Sequence, residues 1–122
     1  MFGHSQGGAA IFNSVFEDPS LTEYLLMDRP VCGNIKRFEK FALPTLLVYD
    51  IEDDGHPIWQ GKLLFQYLST SELHTYRDSK DPYYVPDNIW NLILSFLQRY
   101  SKKRNIFTAA RKREPMNRST RN

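Results

Sequence analysis

The sequence predicts an α/β fold built on a parallel sheet with helices packed against it. Strand-length apolar runs alternate with stretches of helical spacing along the first 100 residues, with no repeat and no low-complexity segment. The best of those runs, Thr45–Tyr49 (TLLVY), is continuously apolar, as a central parallel strand covered on both faces must be. The composition suits one folded domain: of 122 residues, 41% are hydrophobic, 14% aromatic and 25% charged, which excludes wholesale disorder.

Gly7–Phe16 (GGAAIFNSVF) reads as a short helix with a close-packed start, ended by Glu17-Asp18-Pro19-Ser20. Tyr24–Met27 reads as a buried strand. Asn34–Phe41 places Ile35, Phe38 and Phe41 at a spacing of three, a short helical segment. Pro44 introduces the strand Thr45–Tyr49, and the acidic cluster Asp50–Gly55 ends it. Pro57 sits where a helix starts, and Ile58–Leu68 follows. Glu72–Tyr76 is a third strand. Asp87 is placed to cap a last helix, Asn88–Lys102, whose Ile89, Ile93, Phe96 and Tyr100 share one face. The expectation is therefore about three parallel strands with flanking helices, joined by right-handed crossovers.

Charge divides the chain in two. Residues 1–100 hold 8 Lys/Arg against 13 Asp/Glu, whereas residues 101–122 hold 8 Lys/Arg against Glu114 alone. The second stretch is too poor in apolar residues to offset the entropy of ordering it, so it is expected to be a disordered basic tail. Such a tail suits nucleic acid or an acidic partner, or serves only solubility; no nucleic-acid-binding signature accompanies it. No run approaches the ~18 apolar residues of a membrane span, and the first residues lack the basic-then-apolar pattern of a signal peptide. The single cysteine, Cys32, excludes an internal disulfide and a multi-cysteine zinc site. The expected setting is cytoplasmic.

The most informative motif is Gly3-His4-Ser5-Gln6-Gly7, a G-x-S-x-G pattern immediately before a helix. This spacing stands a serine on a sharp strand-to-helix turn with its hydroxyl above the sheet. Side chains two residues before or after Ser5 are expected to collide with neighbouring backbone, hence Gly3 and Gly7. The Gln6 N–H, at the helix start, is then one oxyanion donor. The alternative is a glycine-rich helix start with a surface serine.

On these residues, the segment from Phe2 to about Tyr100 resembles the C-terminal half of an α/β-hydrolase, most closely small members such as dienelactone-hydrolase-like and CIB-type hydrolases. The stretch PTLLVYDIEDD, Pro44 to Asp54, resembles the strand that ends in the triad acid of that family. The resemblance implies Asp53 as the acid, with Asp54 the alternative. It also implies that the family's histidine follows the last strand. There, in residues 77–86, no histidine occurs, and Lys80 or Asp81 takes its place. Imidazole is the side chain with a pKa already near neutrality, so the base must be sought elsewhere. His56, in Asp53-Asp54-Gly55-His56-Pro57, follows the acid turn at the sheet edge where ligands gather and is the substitute base. His4 and His74 read as structural.

Asp50, Glu52, Asp53 and Asp54 do not match calcium-loop spacing, and a solvated acidic turn is expected rather than a metal site. Cys32 reads as a small buried hydrophobe. Tyr83-Tyr84 either line a pocket or cover a sheet edge. No cofactor and no metal is implied. Two functions follow: a serine hydrolase of esters or thioesters using Ser5, Asp53 and His56, or a non-catalytic binding protein descended from that fold. Half of such a sheet, entered at its nucleophile, implies truncation. It also implies an open edge beside Met1-Phe2 for a missing half or a partner subunit.

Overall fold

The computed structural model describes the backbone of residues 1–77 and 85–113, and side chains as far as residue 100. Its framework is a four-stranded sheet in the order β1 (Phe2–His4), β2 (Leu25–Asp28), β3 (Thr45–Asp50), β4 (Ser71–Tyr76), with every pairing parallel. Among the described residues three α-helices accompany it: α1 (Gln6–Glu17), α2 (Ile58–Tyr67) and α3 (Asp87–Arg113). A 3₁₀ segment, Ile35–Lys40, lies between β2 and β3. β1, only three residues long, is the strand that apolar periodicity did not register.

Strand alternation sends side chains to two cores. Leu25, Met27, Leu47 and Tyr49 face α1, the 3₁₀ segment and α2; Leu26, Leu46 and Val48 face α3. Burial of β2 and β3 on both faces explains their unbroken apolar sequence. On the first face Phe12 of α1 meets Phe38 of the 3₁₀ segment edge-on, with ring centroids 4.7 Å apart. Such a pair adds about 0.5–1.5 kcal/mol beyond its burial. Gly61 lets α2 approach the sheet, since a Cβ there would lie 2.6 Å from the Tyr49 ring.

The second face carries α3, through Ile89, Ile93 and Phe96, with Tyr24 and Val85 packed against the same core. The Pro86 carbonyl accepts the Ile89 and Trp90 N–H groups, so the helix begins one residue earlier than the sequence suggested, with Asp87 in its first turn. It continues to Arg113, past the expected end at Lys102. The basic stretch thus begins inside a helix, and residues 114–122 lie outside the described residues. No helix among the described residues is long and apolar enough to cross a membrane.

The two sheet edges differ. β4 is half-buried along most of its length. Among the described residues β1 pairs only with β2, and there Phe2 (56% exposed) and Trp90 (48%), which line one cavity with Leu26 and Leu46, stand uncovered. Among the described residues the edge beside Met1-Phe2 is open, as expected.

Candidate active site

The C-terminal ends of β1, β2 and β3 converge. Ser5 follows β1 with φ 53° and ψ −124°, a left-handed backbone that costs a non-glycine residue about 1–3 kcal/mol. The neighbouring chain imposes it: the Ser5 N–H donates to the Asp28 carbonyl at 3.2 Å, and the Ser5 carbonyl accepts from Val31 and Gly8 N–H at 3.0 Å each. Ser5 precedes α1 but does not cap it with its side chain, which leaves the hydroxyl for another partner. Gly3 is required as expected, because a Cβ would fall 2.7 Å from the Gly8 Cα. The expectation for Gly7 is corrected: nothing lies within 4 Å of a Cβ there. The tight contact on the helix side is one residue later, at Gly8, where a Cβ would meet the Pro30 Cβ at 2.6 Å.

After β3 the chain turns back on itself. The Gly55 N–H donates to Asp53 Oδ1 at 3.0 Å and the His56 N–H to the Asp53 carbonyl at 3.1 Å. This turn places the His56 ring over its own acid, with Nδ1 2.9 Å from Asp53 Oδ2. The other ring nitrogen, Nε2, lies 2.9 Å from Ser5 Oγ. A carboxylate only accepts, so Nδ1 carries the proton and Nε2 is left to accept from the serine hydroxyl. Burial pushes the Asp53 carboxyl up, but hydrogen bonds from His56 and Arg29, the electrostatic attraction of His56 and the Gly55 N–H outweigh it and hold it below its ordinary value. The structure thus brings Ser5, Asp53 and His56 into one hydrogen-bonded line, with Gln6 first in the helix that follows the serine.

The other candidates lie elsewhere. Asp54 is exposed. His74 pairs with Glu72 at 3.3 Å. Cys32 is buried in the first core, and burial pushes its thiol up to about 11 despite the nearby Arg37. Lys80, Asp81 and Tyr83-Tyr84 lie outside the described residues. Among the described residues no group of three or more His, Cys, Asp or Glu is arranged to hold a metal ion, and in the acidic turn Asp50 Oδ1 accepts the Glu52 N–H at 3.0 Å.

Two residues of this cluster escaped the sequence reading. Asp28 accepts from His4 Nδ1 at 3.0 Å, and Arg29 is fully buried between Asp28 and Asp53. Their signal was available: an acid–base pair directly after an apolar strand, at the strand end where such sites form. His4, read as structural, sits with its ring centroid 5.9 Å from that of His56.

A solved structure shares this framework: a predicted CIB-like hydrolase from Thermoplasma acidophilum superposes with a TM-score of 0.70 at 22% identity, over 80% of this chain and 49% of that one. The fold is α/β-hydrolase-like. The chain spans about half the length of this hydrolase-like neighbour. No protein-family model and no curated protein matches it.

Proposed function

We propose that this chain is a serine hydrolase-like protein that cleaves ester or thioester bonds of a small-molecule substrate through Ser5. The observation that carries the reading is the line from Ser5 Oγ to His56 Nε2 at 2.9 Å and from His56 Nδ1 to Asp53 Oδ2 at 2.9 Å. In the proposed reaction Ser5 Oγ attacks the carbonyl carbon while its proton passes to His56 Nε2. The carbonyl electron pair moves onto oxygen, where the Gln6 N–H at the start of α1 meets the charge. Collapse expels the alcohol or thiol, which takes the proton from His56, and water releases the acyl group by the same steps in reverse. Asp53 holds the imidazole in the required tautomer.

An oxyanion hole uses two N–H donors. We place the second on polypeptide lying against the free edge of β1, from a partner subunit or from the half of such a fold that lies beyond the span shared with the neighbour. The exposed Phe2 and Trp90 at that edge suit such a contact. A cytoplasmic setting fits a lone, buried thiol. The non-catalytic alternative rested on the missing loop histidine, and the nearness of His56 to Ser5 weighs against it. A fluorophosphonate probe decides between them: the wild-type chain is expected to be labelled and Ser5→Ala to remain unlabelled. Absence of Ser5-dependent labelling in the folded protein would abandon the hydrolase reading.

A further inference from the structure

Among the described residues Arg29 is the one fully buried cation in the cluster, and its three guanidinium nitrogens all reach this site. Nε donates to Asp28 Oδ1 at 3.0 Å, one terminal nitrogen to Asp53 Oδ2 at 2.9 Å and the other to the Tyr76 hydroxyl at 2.6 Å. The backbone cooperates: Arg29 has φ 50°, a left-handed conformation, and its N–H is tied to the Val48 carbonyl at 2.8 Å. A strained residue held this firmly is over-determined by its surroundings.

Asp53 and His56 lie on a single turn, three residues apart. Apart from His56, the turn itself offers the Asp53 carboxylate only the Gly55 N–H, on Oδ1. Arg29, from the end of a different strand, grips Oδ2, the same oxygen that faces His56. We propose that Arg29 is the positioning residue of this site: it anchors the Asp53 carboxylate from outside its turn, so that His56 is presented to Ser5. Burial opposes the guanidinium charge, but the bonds and charge of Asp28 and the bond to Asp53 outweigh it and hold Arg29 above its ordinary value. The group is therefore a permanent cation and a rigid fork, which lysine is not. Anchoring replaces what the family resemblance assigns to separate loops, because here the acid and its histidine share one turn.

The inference rests on the hydrolase reading for its consequence, but its test does not. The proton on His56 Nδ1, bonded to Asp53, is expected to give a far-downfield, slowly exchanging resonance in the proton spectrum of the wild-type protein. In Arg29→Gln this signal is expected to be lost to solvent exchange, and in Arg29→Lys to be weakened. Fluorophosphonate labelling of Ser5 is expected to slow about 10²-fold in Arg29→Gln. In Arg29→Lys it slows about tenfold, with reversible binding of the probe unchanged. An unchanged resonance in either variant, folded by circular dichroism, overturns the proposal. Should Arg29→Gln not fold, Arg29→Lys decides alone by the same criterion. A resonance that depends on Arg29 without any Ser5-dependent labelling leaves the positioning role standing and removes the hydrolase reading.

Discussion

Two histidine–carboxylate pairs flank Ser5 and are built almost alike. His56 Nδ1 lies 2.9 Å from Asp53 Oδ2, and His4 Nδ1 lies 3.0 Å from Asp28 Oδ2. Arg29 touches both carboxylates. They differ in how each reaches the serine. His4 is its covalent neighbour, yet its ring is taken up by a carboxylate 24 residues on. His56 is 51 residues from Ser5, yet its Nε2 meets the hydroxyl. His4 ends β1 and is held by the carboxylate at the end of β2, whereas the turn at the end of β3 aims back over the same edge. Chemical likeness therefore does not make the pairs equivalent; placement relative to Ser5 does.

The largest expected effect separates the pairs directly. His56→Ala is expected to slow Ser5 labelling and ester turnover by about 10⁴-fold, the cost of losing a triad member. His4→Ala is expected to slow them by less than about tenfold, because a group held away from the nucleophile exerts only an indirect field. Comparable losses in both would break the distinction. Next in size, Asp53→Asn is expected to cost about 10³–10⁴-fold in turnover through loss of the ring's tautomer, and Asp28→Asn about tenfold or less. Steady-state rates on a chromogenic ester measure both.

The Asp53–His56 pair can also be tested in acid. Asp53 is held below its ordinary value, so the stability it contributes is fully present above the unfolded value and is lost as pH falls through the folded one. Urea midpoints taken between about pH 5 and pH 2 are expected to decline less steeply in Asp53→Asn than in the wild type. Equal slopes would show that the carboxylate gains nothing from its partners in the fold.

The smallest effect lies on the helix side of Ser5. Gly7→Ala is expected to stabilise the protein by up to about 1 kcal/mol, since an open helical position gains from alanine. Gly8→Ala is expected to destabilise it by about 1–3 kcal/mol, because its Cβ meets Pro30. Thermal melts of the two variants check the order.

Much of this was legible in the chain. Thr45–Tyr49 announced a central strand because both faces are buried, and the spacing of Ile89, Ile93 and Phe96 announced the buried face of α3. Ser5 was legible because a strained elbow demands small neighbours, although the structure moves one of those demands from Gly7 to Gly8. Candidate bases were legible as residue types, and His56 was singled out by its place after the acid turn.

What residue spacing determined, then, was the alternation of strands and helices, the apolar faces and a short set of reactive side chains, because hydrophobic periodicity and turn chemistry are local. What only the tertiary structure decided was which of those side chains meet. The 2.9 Å contact between Ser5 and His56 depends on the parallel order of the strands and the return of one turn, and the insertion of Arg29 between Asp28 and Asp53 depends on two strand ends meeting. Contacts between residues distant in sequence exist only once the sheet has assembled, and a buried charge betrays its partners only when they are seen around it.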